Sequence, residues 1–309
     1  MTNKKTPAGD RIAKRLARAG VASRREAERM IEAGRVHVNG KRIDSPALNV
    51  TDSDVIAVDG NVIGELEPPR LWRYHKPTGL VTSAHDEKGR ATVFDRMPPE
   101  MPRVMSIGRL DLNSEGLLLL TNDGGLKRKL ELPSTGWTRR YRARAHGRIE
   151  EKALDPIRKG ITVEGEHFQP MDIAIERQQG ANVWLTVALK EGKNREIRRA
   201  LEAVGLIVNR LIRVSYGPFQ LGDLAPGGVE EIKPKILRDQ LGVKNAPLPP
   251  RAKAKPVKRA DGGQSARLAP KSASGGGKST PRNAPKTSKP RNAPSGGSPR
   301  GAPRGPKRG

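Results

Sequence analysis

The chain has 309 residues, enough for two small domains or for one of average size with an appendage. Its 59 basic and 33 acidic side chains leave a formal charge of +26, which points to a polyanionic partner. No apolar run approaches the roughly 18 to 20 residues of a membrane span. The absence of cysteine excludes disulfides, thiol nucleophiles and thiolate metal sites. His37, His75, His85, His146 and His167 are scattered, with no H-x-x-x-H pair to suggest metal ligands. The polar start MTNKKTPAGD lacks the apolar stretch of a secretory signal. A cytoplasmic, metal-free, nucleic-acid-binding protein is the expectation.

Residues 10–60 read as helix, helix and hairpin. Ile12, Leu16 and Ala19 recur at helical spacing, with Arg11, Lys14, Arg15 and Arg18 on another face. Ser23 and Glu26 have the spacing of a capping box, which predicts a second helix from about Arg24. That helix buries Ala27, Met30 and Ile31 and stops before Gly34. Val36 and Val38 then alternate with polar residues, Asn39-Gly40 supplies a turn, and Lys41-Arg42-Ile43 begins the return strand. The stretch RIAKRLARAGVASRREAERMIEAGRVHVNGKRI resembles an S4 domain. That resemblance implies that basic faces of both helices meet the backbone of a folded RNA. Arg11, Arg15, Arg24, Arg25 and Lys41 would make phosphate contacts, which position a protein without reading sequence.

Residues 61–69, with Pro68-Pro69, read as a linker. Between 70 and 242, strands are predicted at 80–82, 116–121, 140–145, 173–175 and 183–189, and helices at 125–130, 151–159 and 195–204. The excess of strands predicts an α+β domain on a mixed, largely antiparallel sheet. Three local patterns carry chemistry. His75-Lys76-Pro77-Thr78-Gly79-Leu80-Val81 reads as a turn leading into a strand. Gly108-Arg109-Leu110-Asp111 precedes four consecutive leucines, 117–120, which predict a strand buried on both faces with a carboxylate at its edge. Glu191-Gly192-Lys193-Asn194-Arg195-Glu196-Ile197-Arg198-Arg199 is a loop entering a basic helix. Taken singly, a lysine in a loop, a turn-forming aspartate and an exposed helix start are the ordinary readings.

Together, in order and separation, the three resemble the motifs of the RsuA-type branch of the pseudouridine synthases. GRLDLNSEGLLLLTNDGGL is the most diagnostic string, RLIRVSYGPFQLGDLAPG shares the family's cast, and the likeness runs from about residue 10 to about 240. It implies an isomerase that detaches uracil from ribose at N1, turns the base and rejoins it through C5. No atoms are gained or lost, so no metal, nucleotide or redox cofactor is implied. Asp111 matches the essential carboxylate, which attacks the sugar or removes a ribose proton. Arg198, or Arg199 if the register is off by one, would hold that carboxylate ionised through a bidentate pair. Tyr141 would pack against the uracil ring. Alternation over 140–145 puts Tyr141 with the alanines and the arginines on the other, RNA-facing side. Lys76, Arg109 and Lys193 are expected on phosphates around an extracted uridine.

The partner implied is ribosomal RNA, large-subunit RNA first, or a pre-ribosomal particle, met by a monomer. An RNA-binding assembly factor would not require Asp111, Tyr141 and Arg198 together. A glycosidase would need a second carboxylate, and beyond Glu115 no such signature is present. From Lys244 onward, 17 Lys or Arg face one acid, Asp261, so +16 of the +26 lies there. That Pro/Gly/Ser-rich stretch, 243–309, is predicted to be disordered. It would add salt-sensitive affinity for phosphates, or serve only as a solubilising extension.

Overall fold

The computed structural model describes residues 9–132 and 136–242, and the cationic stretch beyond lies outside them. The chain starts with β1 (Asp10–Arg11), α1 (Ile12–Arg18) and α2 (Arg24–Glu32). There follow β2 (Val36–Val38), β3 (Lys41–Arg42), β4 (Asn49–Val50), β5 (Ile56–Val58) and β6 (Asn61–Val62). The Ser23 hydroxyl accepts the Glu26 backbone N–H at 3.1 Å, a cap that contributes about 1 kcal/mol. Asn39 and Gly40 take φ of 51° and 77°, the two left-handed residues that a tight hairpin requires. Asp59 and Gly60 do the same at 51° and 80°, which brings β6 against β5. The sheet β3-β2-β5-β6 therefore claims the first two residues of the expected linker. Ile12, Leu16, Ala27, Ile31, Val36 and Ile56 give this unit its own core.

The second region runs β7 (Leu71–Lys76), β8 (Met105–Ile107), β9 (Glu115–Thr121), α3 (Gly124–Glu131), β10 (Arg139–His146), α4 (Asp155–Lys159), β11 (Ile161–Val163) and β12 (Glu166–Phe168). It continues with β13 (Asp172–Gln179), β14 (Asn182–Leu189), α5 (Glu196–Glu202), β15 (Ile207–Tyr216), β16 (Phe219–Gln220), β17 (Val229–Glu231) and α6 (Pro234–Leu241). A nine-stranded sheet has the order β13-β14-β10-β15-β9-β7-β17, with β8 beside β9 and β16 beside β15. Its central β9–β15 pair is parallel and the other pairings are antiparallel, giving the mixed sheet of an α+β domain. No helix among the described residues is long and apolar enough to cross a membrane.

The leucine run explains the layering. Every residue of β9 is buried. Leu117 and Leu119 point to a core shared with Leu126 and Leu130 of α3 and Leu237 and Leu241 of α6. Leu118 and Leu120 point the other way, toward Trp72, Tyr74 and Val93. A further core sets Ala143, Ala145 and Leu185 of the sheet against Ile197, Ala200 and Leu201 of α5. At the parallel junction Gly116 has φ of 102°, and a Cβ there would lie 2.3 Å from the Arg213 carbonyl oxygen. Only glycine permits this approach.

Three local expectations are revised. The Lys-Pro turn leaves a strand rather than entering one, since β7 ends at Lys76 and Pro77 has no N–H for a ladder. Residues 80–82 form no strand; Val81 makes a single bridge to Thr92. The expected helix 151–159 divides into a 3₁₀ turn, Glu151–Leu154, and α4, because Pro156 cannot donate backward across the break.

Candidate active site

The turn before β9 places a carboxylate on a backbone whose carbonyls are all engaged. The Ser114 N–H donates to the Asp111 carbonyl at 3.0 Å and closes the turn. Lys76, from the end of β7, donates through Nζ to the carbonyls of Asp111 at 3.1 Å, Ser114 at 2.9 Å and Pro77 at 3.0 Å, with Leu112 at 3.4 Å. Four acceptors share three ammonium hydrogens. The Gly79 N–H donates to the Leu112 carbonyl at 2.9 Å, and Thr82 Oγ1 donates to Leu110 at 2.8 Å. Arg198 completes the set through Nη2 to the Asn113 carbonyl at 2.9 Å, while its Nη1 reaches Val208 at 2.8 Å. The carbonyls of residues 110–114 are thus held by two buried cations, a hydroxyl and two backbone N–H groups.

This geometry corrects two expectations. Arg198 does not form the bidentate pair with Asp111; it is buried under the turn and binds backbone. The alternative, Arg199, pairs with Glu166 and, at 3.2 Å, with Glu164, and lies 4.9 Å over the Phe168 ring. The ion pair that Asp111 makes among the described residues is with Arg195, whose Nη1 stands 4.0 Å from Oδ2. The reason is where α5 begins. Its first residue is Glu196, so the helix turns Arg198 inward and leaves Arg195 outside as the N-terminal flanking residue. Arg195 has φ of 47° and ψ of 27°, a left-handed conformation rare for a residue with a side chain.

Lys76 is the second correction. It is 0% exposed and therefore supports the turn instead of meeting phosphate. Burial pulls its pKa down to about 8, against the opposing charges of Asp111 and Glu115. Burial, and then the neighbouring Arg195, lower the pKa of Arg198, and Asp111 opposes them. Glu115 itself is engaged by Arg210.

Tyr141 is half-buried, packs against two of the cores and lines the same pocket as Asp111, Arg195 and Arg213. Ala143 and Ala145 share its face and are fully buried, as the alternation requires. On the other face Arg142 is paired with Glu176 at 2.7 Å and lies over Trp184 at 4.9 Å, so it is not a free RNA contact. Arg109 is exposed at the rim. Lys193 also lines the cleft but is paired with Glu191 at 2.8 Å. Of the helical-unit cations, Arg24, Arg25 and Lys41 are exposed. Arg11 donates to the Ala47 carbonyl at 2.7 Å, and Arg15 is paired with Asp52.

Besides Arg195, three pocket residues escaped the sequence reading. Arg139 donates to Tyr216 Oη at 3.1 Å and to the carbonyls of Lys190 and Glu191 at 2.7 and 3.0 Å. Strand alternation would have found it, since it lies two residues before Tyr141 on the same face. Buried Arg213 donates through Nε to the Leu117 carbonyl at 2.7 Å. Glu196 is 3% exposed, and burial, with the adjacent Glu191 carboxylate adding to it, pushes its pKa up to about 7. Both lie within strings that carry the family likeness, but nothing in those strings marks either as a buried pocket residue. The pocket over Asp111 has a volume of about 140 Å³ and opens into a trough of about 670 Å³.

The chain matches the S4 domain over residues 10–56 and the family described as RNA pseudouridylate synthase over residues 70–203. It is 49% identical over 229 residues to an uncharacterized RNA pseudouridine synthase of Rickettsia conorii, covering 74% of this chain and 99% of that one. It is 41% identical over 226 residues to ribosomal large subunit pseudouridine synthase B of Yersinia pestis, covering 71% of each. The Pseudomonas aeruginosa protein of the same name is 38% identical over 257 residues, covering 80% of this chain and 66% of that one. A solved pseudouridylate synthase superposes with a TM-score of 0.52 at 24% identity over 74% of this chain and 98% of that chain, a likeness of fold.

Proposed function

We propose that this chain, which belongs to the RNA pseudouridine synthase family and is therefore an isomerase, converts a uridine of large-subunit ribosomal RNA to pseudouridine with Asp111 as its catalytic carboxylate. The observation that carries the proposal is a half-exposed carboxylate on a turn whose every carbonyl from Leu110 to Ser114 is held. The relatives named for the large ribosomal subunit support the choice of RNA.

The reaction breaks C1′–N1, turns the base, forms C1′–C5, and moves one proton from C5 to N1. Asp111 must be ionised either to attack the sugar or to take a ribose proton. Arg195, 4.0 Å away, is the cation that faces that carboxylate, and their attraction strengthens as RNA covers the pocket and lowers the local dielectric. Lys76 and Arg198 act at one remove, as positioning residues. They fix the turn, so the carboxylate meets the sugar without first being ordered. Tyr141 offers a ring against which the detached uracil can turn. Extracting the uridine costs a few kcal/mol, offset by phosphate contacts from Arg24, Arg25, Lys41 and Arg109.

The test is pseudouridine mapping of unmodified small- and large-subunit ribosomal RNA incubated with the purified protein, with Asp111→Asn in parallel. A new site in large-subunit RNA, absent with the variant, is the expected result. Modification confined to small-subunit RNA overturns the substrate, and turnover by Asp111→Asn above a few per cent of the parent overturns the role of the carboxylate.

A further inference from the structure

A second cavity, of about 520 Å³, lies where α1 and α2 meet β8 and α3. The joint itself is tied by Arg18, whose Nε pairs with Asp123 at 2.9 Å and whose Nη1 donates to the Asn122 carbonyl at 3.1 Å. Arg18 therefore serves the interface rather than the solvent. The cavity lining contains six cations and two acids. Both acids are engaged, Asp123 by Arg18 and Glu131 by Lys127 at 2.6 Å. Arg24, Arg103 and Arg128 line the cavity with no hydrogen bond or ion pair among the described residues. All three are exposed, and Arg103 has no acidic neighbour to oppose the lowering of its pKa by partial desolvation. Three guanidinium groups without counter-anions, gathered around one hollow and open to solvent, make a positive field that attracts an anion into it.

The lining also includes the apolar side chains of half-buried Ala17 and Met105 and of exposed Leu132. Gly124 leaves room beside them, since a Cβ there would lie 3.7 Å from Arg24 Nη2 and 3.9 Å from Met105 Cε. Apolar side chains beside arginines are complementary to a flat base joined to a phosphate. The cavity also shares Arg103, Met105, Lys127 and Glu131 with the trough that contains Asp111. One strand can therefore occupy both.

We propose that this joint is a second nucleotide subsite: an unpaired nucleotide of the RNA substrate, separate from the isomerised uridine, rests its base on Ala17 and Met105 and its phosphate on Arg24, Arg103 and Arg128. The proposal rests on the reading that the chain acts on RNA. It gives the S4-like unit a task beyond adding charge, because the pocket exists only while both units stand together.

The test measures binding by the full chain carrying Asp111→Asn, so that turnover does not enter. The probes are a fluorescein-labelled single-stranded RNA 12-mer and free uridine monophosphate. Arg103→Ala with Arg128→Ala is compared with Lys152→Ala with Arg177→Ala, which removes equal charge elsewhere. Ala17→Trp fills the hollow with no change of charge, and circular dichroism checks that each variant folds. The 12-mer is expected to bind about tenfold more weakly to the first pair and to Ala17→Trp, and within about twofold of the parent to the remote pair. Equal weakening by both pairs would reduce the effect to general electrostatics and overturn the proposal. So would undiminished binding by Ala17→Trp, as would saturation of the hollow by uridine monophosphate while the 12-mer ignores it. If the ribosomal RNA mapping fails while these shifts are seen, the substrate assignment falls and the subsite stands.

Discussion

Lys76 and Arg198 sit beneath the turn that carries Asp111, whereas Arg195 stands in front of it, and substitution should separate the two positions. Arg198→Ala strands the carbonyls of Asn113 and Val208 and should cost about 2 kcal/mol of stability as well as activity. Arg195→Ala removes a half-exposed pair that contributes about 0–1 kcal/mol to the free protein. Its melting temperature should stay near the parent's while kcat falls about tenfold, as expected when one charge-assisted interaction is removed from a dry site. Melting curves and single-turnover rates on both variants check this. An early-melting Arg195→Ala beside a parent-like Arg198→Ala would reverse the roles. Glu196 and Lys76 add a pH signature. The folded pKa of Glu196 is raised from 4.5 to about 7, so its folded form holds a proton that the unfolded form has released. Its contribution is fully present below about pH 4.5 and is lost as pH rises toward 7. Lys76, lowered from 10.5 to about 8, has the opposite proton balance; its contribution is present above about pH 10.5 and is lost as pH falls toward 8. Glu196→Gln should flatten the acid-side slope in melting temperature and leave the alkaline slope, and Lys76→Met the reverse.

Among the elements, β9 and its parallel neighbour β15 carry the site, and they were unequally legible. The leucine run announced β9 and its burial on both faces, because an unbroken apolar strand has no polar face to offer solvent. The turn ahead of it and the presence of Asp111 there were legible too. β15 was not, since Ile207–Tyr216 mixes exposed Asn209 and Arg210 with buried Leu211 and Arg213, and buried arginine breaks the apolar pattern. Strand β7 was masked by the Lys-Pro turn that follows it. Arg198 was misassigned because a one-residue shift in where α5 starts exchanges the inward and outward arginines, and helix starts are legible only through their caps. Here no side chain caps α5, and left-handed Arg195 occupies the flanking position. The parallel junction makes its own prediction. Gly116→Ala forces a Cβ to within 2.3 Å of backbone that cannot yield without separating β9 from β15. The variant should unfold at a markedly lower denaturant midpoint, whereas alanine at exposed Gly64, where an added Cβ meets nothing within 4 Å, should be tolerated. Equal midpoints would mean that the junction relaxes without strain.

At the scale of the whole chain, the basic charge is divided between the described residues and the sequence that follows Gly242. The described residues place cations without ion pairs at named points, Arg24 and Arg103 at the joint and Arg109 at the rim of the trough, and phosphate contacts from such fixed points would choose a register. The +16 from Lys244 onward is carried on Pro, Gly and Ser-rich sequence with few apolar side chains, and such charge would act on any phosphate. The two contributions respond differently to salt. Each phosphate neutralised lowers the slope of log K against log salt by about 0.7 for single-stranded RNA. Ending the chain after Gly242 should therefore weaken binding most at low salt and make its salt dependence shallower, while the modified uridine stays the same. Titrations at several salt concentrations, run beside pseudouridine mapping of both proteins, decide it. A moved modification site would assign the tail a part in choosing the uridine, and an unchanged slope would show that its charge does not reach the RNA.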